Sequence, residues 1–235
     1  LFKLKTFDRC IIDEASQILE PMMLGILPHF KHFTLIGDHK QLPAVVAQRK
    51  LFTKVEHPAL AEIGLKDLRD SYFERMYQRA QQNGWNHAYA NLSEQGRCHQ
   101  DLMKFCSEHF YDDFLDILPQ TYERQTVALS YPHQPVCPYP DLYTKRLLFL
   151  NTDAEFSGNS KMNKNEAQIV ASLVKCLTAV YQENEMPIDQ DSFGIITPYR
   201  AQIACIRNTF DEQQINHEKV SVDTIERYQG GARDI

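Results

Sequence analysis

The chain has 235 residues, 43% of them hydrophobic and 24% charged, enough for one large or two small domains with a sizeable core. That composition excludes a disordered or fibrous chain, and no apolar run approaches the ~20 residues a membrane span requires. The formal net charge of −6 argues against a broadly basic nucleic-acid-coating protein, yet leaves room for a local groove that grips a single strand. No basic-then-apolar leader precedes a cleavage site, so secretion is not indicated, and the expected location is the cytoplasm, or the nucleus in a eukaryote. Six cysteines are scattered without C-x-x-C pairs. Cys98, His99, Cys106 and His109 lie close together but fit no common zinc spacing, so reduced thiols are expected.

In chain order, the first segment reads β-α-β. FDRCIIDE is a short buried-strand candidate, and SQILEPMMLGILPHF holds a short helix with Pro21 near its start and Pro28 ending it. HFTLIGD is a second strand. About twenty residues separate the strands, enough for a right-handed parallel crossover. Asp13, Glu14 and Asp38 would then share the carboxyl edge, where open α/β sheets bind ligands. Residues 51 to 90 read as helical and polar, with Leu68, Tyr72, Met76 and Arg79 at helical spacing and Asn83-Gly84 as the stop. HQDLMKFCSEHF is a further helix, with Leu102, Phe105, Cys106 and His109 along one face. Residues 119 to 145 read as an irregular connection. An α/β rhythm returns with RLLFL as a strand, NEAQIVASLVKCLTAVY as a helix, SFGIIT as a strand, YRAQIACIRNTFDEQQ as a helix and VSVDTI as a strand. The boundary between halves is expected near residues 84 to 93, giving domains over 1–90 and 91–235.

An apolar strand ending in Asp-Glu suits phosphoryl transfer, where the protein positions groups and stabilises charge. Asp13 at a strand tip could hold magnesium, usually through water, and Glu14 could orient and deprotonate an attacking water. Alone, four apolar letters followed by DE recur by chance. LIGDHKQLPAVV is more specific: Gly37 permits a tight exit from the strand, Pro43 fixes the chain direction, and Gln41 offers a donor and acceptor that could report a γ-phosphate. In LSEQGRCHQDLMKF, Arg97 precedes a helix and could serve as an arginine finger, although a lone Arg is usually a solvated charge. Thr197, Pro198, Tyr199 and Thr224 would sit at carboxyl strand ends, offering hydroxyls and backbone amides to phosphates.

Taken in order, DEASQ, GDHKQLP, SYFER, EQGRCH, N-x-x-E-A from Asn163 to Ala167, TPYRAQ and V-D-T-x-x-x-Y-Q-G resemble the motif series of superfamily 1 helicases. The branch they look most like is the 5′-to-3′ group with the nonsense-mediated-decay and DNA2/NAM7-type enzymes. The resemblance covers nearly the whole chain and is weakest over residues 111 to 145. It implies an α/β fold of RecA-like parallel sheets flanked by helices, with a partial first domain and most of a second. It further implies ATP and Mg2+ in the cleft between the domains, and single-stranded DNA or RNA across the top. By position, Asp13 would serve the metal and Glu14 would be the base. Gln41 would contact the γ-phosphate, and Arg97 would be the finger from the other domain. Asp38 and Gln95 would lie on the nucleotide side, while Gln229 and Gly230 would link nucleotide to strand. Thr197, Pro198, Tyr199 and Thr224 would be strand contacts.

Three departures qualify that likeness. Gly96 stands where the family has Tyr before the finger Arg, Ala232 where it has Glu after Q-G-x, and Ala44 where it has a second Pro. No G-x-x-x-x-G-K-[ST] occurs in the sequence, so the expectation is an internal fragment without ATPase activity of its own, flanked by further domains that could include a nuclease. The alternative is a non-catalytic nucleic-acid-binding or interaction module derived from a helicase. A DEAD-box-type enzyme is disfavoured by GDHKQLP.

Overall fold

The computed structural model describes residues 5, 7–124, 129–132, 137–152 and 161–235. They form two compact units, Leu1–Ser93 and Glu94–Ile235.

In the first unit, strands β1 (Phe7–Ile12) and β2 (Phe30–Leu35) pair in parallel, with Phe7 opposite Phe30 and Ile12 opposite Leu35. Helix α1 (Glu20–Leu24) lies between them in sequence and carries Pro21 in its first turn, where a missing N–H costs nothing. The helix stops at Leu24. Pro28 therefore does not end it, as the sequence had implied, but opens a separate 3-10 turn over Leu27–His29. Ala15, Met23 and Leu27 form a small core on which Ile12, Ile18, Leu35, Tyr72 and Phe73 pack. That packing covers one face of the strand pair. The strands were expected to be buried, yet Ile11 and Phe33 on β1 and β2 are 66% and 43% exposed.

Residues 51 to 90 are less helical than their composition implies. A 3-10 turn over Lys50–Phe52 and the short helix α2 (Pro58–Glu62) precede helix α3 (Tyr72–Gln82). Leu68 lies outside α3, its N–H donating to the Thr53 carbonyl at 2.8 Å. The helix begins at Tyr72 because the Ser71 hydroxyl accepts the Glu74 N–H at 3.1 Å, satisfying one of the open donors of the first turn. It ends at Asn83, and Gly84 takes the left-handed conformation, with φ +66°, that releases the chain from the helix.

The second unit holds two further parallel pairs. Strands β3 (Glu94–Gln95) and β4 (Asp116–Ile117) flank helix α4 (Gln100–Phe110) and are followed by helix α5 (Pro119–Arg124). The apolar face expected on α4 is largely solvent-facing: Phe105 is 51% exposed, and Ser107 is the buried residue of the helix. The main core lies between helices α6 (Lys164–Glu183) and α7 (Arg200–Glu212) and strands β5 (Gly194–Ile196) and β6 (Ser221–Asp223). Ala167, Ala171, Val174, Ile206, Phe210 and Val222 fill it, and Tyr181 meets Phe193 edge-on at 4.9 Å. The short helix α8 (Ile225–Tyr228) closes the described elements. RLLFL is not a strand: residues 146–150 are irregular, with Leu147 63% and Phe149 89% exposed. An apolar run becomes a strand only where a partner takes up its backbone donors and acceptors. The connection expected over residues 119 to 145 includes 125–128 and 133–136, which lie outside the described residues.

Helices and parallel strands thus alternate in both units, an α/β arrangement built, among the described residues, on three two-stranded sheets. Among the described residues, no helix is long and apolar enough to cross a membrane.

Candidate functional site

The parallel register of β1 and β2 brings the DE and GD letters to one edge. Beyond the last strand residues the ladder continues: the Ile36 N–H donates to the Ile12 carbonyl and the Ala15 N–H to the Ile36 carbonyl, both at 2.8 Å. Between them the chain turns through Glu14, which sits in the left-handed region at φ 52°. A non-glycine residue there is strained, and such strain persists only where its surroundings hold it. The turn leaves the Asp13 and Glu14 carboxylates in solvent.

Five of the hydrogen bonds at this edge arrange its side chains. The Asp13 carboxylate accepts the Glu14 N–H at 2.9 Å, and the Gln17 amide donates to the Glu14 carboxylate at 2.9 Å. The Asp38 N–H donates to the Ser16 hydroxyl oxygen at 3.3 Å, and the Gln41 amide donates to the Asp38 carboxylate at 2.9 Å. Asp38 also accepts the Lys40 N–H at 2.9 Å, so it organises the GDHKQ turn. His39 faces the other way, its ring 5.1 Å from that of Tyr77 on α3.

Asp13, Glu14, Asp38 and Gln41, singled out from the sequence, are therefore neighbours along one sheet edge. The donor set is oxygen-only and acidic, which suits a hard cation. Among the described residues no group of three or more His, Cys, Asp or Glu forms a metal cage. Magnesium is commonly held by one or two carboxylates, with waters and substrate phosphates completing its shell, so these residues fit that ion.

In the second unit the predicted residues fall into two places. Gln95 ends β3, and Arg97 lies in the turn between β3 and α4. The Gln95 side-chain oxygen accepts the backbone N–H groups of Arg97 and Cys98 at 2.9 and 2.7 Å, and its side-chain amide donates to the Cys98 carbonyl at 2.9 Å. Gln95 is thus spent on shaping the turn that presents the exposed Arg97. A Cβ on Gly96 would come within 2.8 Å of a Leu118 methyl, so any larger residue there displaces that side chain. The thiol of Cys98 on the same turn is shifted upward, first by burial and then by nearby Cys106.

The other predicted residues follow β5 and β6. These strands pair with Ile196 opposite Asp223, and the Thr197 N–H donates to the Asp223 carbonyl at 3.2 Å. Thr197, Pro198, Tyr199 and Thr224 therefore cluster at carboxyl strand ends. Lys161 lies over the Tyr199 ring, 5.1 Å from its centroid. Gln229 and Gly230 follow α8; the Gln229 amide nitrogen is buried without a hydrogen-bond partner among the described residues, and Gly230 has φ +77°.

Sequence reasoning gave no role to Ser16, Gln17, Asn163 or Gln202. Gln202 on α7 is 5% exposed and forms a two-point bond with the Asn163 backbone at the start of α6. Their signal was present as polar letters inside DEASQ and TPYRAQ, but the partners of Ser16 and Gln202 are 22 and 39 residues away.

This α/β arrangement, with acidic residues at parallel strand tips, agrees with the motif order. Residues 68–235 match the AAA domain family, and residues 1–49 match a second family with the same description, AAA domain. The chain belongs to the AAA domain family, and it is similar to proteins named as helicases, a DNA2 helicase/nuclease among them, and to a regulator of nonsense transcripts. A probable helicase of Dictyostelium discoideum is 30% identical over 97% of this chain and 20% of its own length. The DNA replication ATP-dependent helicase/nuclease DNA2 of Bos taurus is 29% identical over 100% of this chain and 22% of its own length. A regulator of nonsense transcripts 1 homolog of Neurospora crassa is 30% identical over 100% of this chain and 19% of its own length. The chain spans about a fifth of the length of these curated relatives.

Proposed function

We propose that the chain is part of an ATP-dependent helicase or translocase that couples hydrolysis to movement on single-stranded DNA or RNA. Its two units would be RecA-like, the first partial and the second nearly whole. One observation carries the reading: the stitched edge of β1 and β2, where Asp13, Glu14, Asp38 and Gln41 converge. A stable core gains nothing from exposed carboxylates on a strained turn, whereas phosphoryl transfer needs a cation holder and a base side by side.

In this proposal Asp13 holds magnesium through water, and Glu14 takes the proton of the attacking water. Gln41 contacts the γ-phosphate, with Asp38 behind it, and Arg97 offsets developing negative charge. When bound, the magnesium ion neutralises phosphate charge. Thr197, Pro198, Tyr199 and Thr224 would touch the strand. Gln229 and Gly230 would connect it to the nucleotide side, the buried Gln229 amide having no hydrogen-bond partner among the described residues. Some relatives are named helicase/nuclease, so accessory domains outside these residues belong to the proposal, as does a location in the cytoplasm or nucleus. The reading of a non-catalytic module is not favoured, because these relatives are named helicases and Asp13, Glu14, Gln41 and Arg97 are all retained.

The test uses a longer protein that carries this chain together with a phosphate-binding loop. Single-stranded DNA or RNA is expected to accelerate its ATP hydrolysis. Glu14→Gln is expected to cut kcat by about 10²–10⁴-fold while ATP binding stays near that of the parent. Undiminished turnover by the variant rejects the assigned base.

A further inference from the structure

One of the side-chain hydrogen bonds at the acidic edge crosses from one turn to the other. Asp13 and Glu14 belong to one turn and Asp38 and Gln41 to another. A side-chain link between them is the Ser16 hydroxyl, which accepts the Asp38 N–H at 3.3 Å. Ser16 is 4% exposed, so the bond is sheltered from water on the Ser16 side. The approach is close because residue 37 has no side chain. A Cβ on Gly37 would lie 2.9 Å from the Ser16 nitrogen, 3.2 Å from its hydroxyl oxygen and 3.3 Å from the Ala15 nitrogen. Two of those three atoms are backbone, and the Ala15 N–H is itself tied to the Ile36 carbonyl, so they cannot swing away. Ser16 and Gly37 therefore act as a matched pair, a hydroxyl on one turn and an empty space on the other.

We propose that Ser16, seated against Gly37, is a positioning residue that sets the distance between the Glu14 turn and the Gln41 turn. This rests on the reading of Glu14 as base and Gln41 as γ-phosphate contact. Through Asp38, whose N–H meets Ser16 and whose carboxylate receives the Gln41 amide, the hydroxyl fixes where Gln41 stands relative to Glu14. Ser16 touches neither substrate nor metal in this scheme. Its loss leaves the binding groups present but misplaced, and misplacement by about 1 Å can cost a catalytic step as much as 10²-fold.

The experiment compares Ser16→Ala, Gly37→Ala and the double variant in the longer ATP-hydrolysing protein, with Glu14→Gln in parallel. Ser16→Ala is expected to lower kcat about 10-fold with the ATP KM within twofold of the parent, the split expected of a group acting at the transition state. Gly37→Ala disturbs the same contact from the other side, so the double variant is expected to be no slower than the worse single one. A second readout does not depend on activity. Hydrogen exchange across residues 36–41 is expected to rise about 5- to 10-fold in Ser16→Ala, as the Asp38 amide loses its acceptor. Unchanged kcat in Ser16→Ala, or rate losses that multiply in the double variant, overturns the proposal. If Gly37→Ala does not fold, kcat and exchange in Ser16→Ala decide alone. Full activity in Glu14→Gln overturns the underlying assignment of the base. A dead Glu14→Gln beside a normal Ser16→Ala rejects only the positioning role.

Discussion

Glu20 and Arg75 are locked in a two-point ion pair inside the first unit, the guanidinium donating to the carboxylate at 2.8 and 2.5 Å. The side chains are 2% and 10% exposed, and Arg75 also donates to the Ile63 carbonyl at 2.8 Å. The pair joins α1, which follows the acidic turn, to α3. Breaking a buried pair from one side strands a charge, whereas replacing both partners removes the problem. Arg75→Met or Glu20→Gln is expected to cost about 3–5 kcal/mol. The double variant Glu20→Met with Arg75→Met is expected to cost less than either single change. Urea denaturation of the chain checks this through its midpoints at constant slope.

Asp67 gives the first unit a pH dependence. It is 3% exposed and receives Arg69 through two side-chain bonds at 3.0 and 2.6 Å, with Lys54 at 3.2 Å. Arg69 is the largest cause holding its carboxyl far below the usual carboxylate range, against the opposing effect of burial. An unfolded Asp titrates near about 3.9, so the stabilisation is complete above that pH. As pH falls below it, the unfolded chain takes up the proton first and the stabilisation fades. Neighbouring Asp70, pushed upward by burial and then by Asp67, works in the opposite sense. Asp67→Asn is expected to lower the urea midpoint at pH 7 and to flatten its decline between about pH 4 and pH 2. An unaltered decline in the variant would assign acid sensitivity elsewhere.

The acidic edge was legible because its letters carry their own geometry. A strand that ends in carboxylates must place them at a tip, and two parallel strands must place both sets at the same end. The long helices α6 and α7 were legible for a similar reason, since their apolar periodicity needs no knowledge of the partner. RLLFL failed because apolar letters cannot show whether a neighbouring strand exists. The start of α3 was misplaced because periodicity through Leu68 outweighed the Ser71 cap, a local signal that fixes the boundary. The apolar stripe of α4 was readable, but its exposure was not. Ser16 and Gln202 stayed silent for a different reason: each is an ordinary polar residue until a distant backbone segment folds against it.

The Gln202 contact makes the last prediction, because it separates amide chemistry from size. The Gln202 amide donates to the Asn163 carbonyl at 3.0 Å, while its oxygen accepts the Asn163 N–H at 2.6 Å. Asn163 in turn caps α6, its side-chain oxygen accepting the N–H groups of Asn165 and Glu166 at 3.0 and 3.2 Å. Gln202→Ala takes the acceptor from the half-buried Asn163 N–H, while the Asn163 carbonyl keeps the Ala167 N–H at 3.2 Å, and is expected to cost about 1–3 kcal/mol. Gln202→Glu keeps the shape but sets a carboxylate against the Asn163 carbonyl, two acceptors with no proton between them at neutral pH. It is therefore expected to destabilise at least as much as the alanine variant, despite being nearly isosteric. Thermal and urea melts of both variants check the order. A glutamate variant as stable as the parent would mean that the bond to the Asn163 carbonyl contributes nothing, and that packing and the Asn163 N–H, which a carboxylate still accepts, hold α7 against the start of α6.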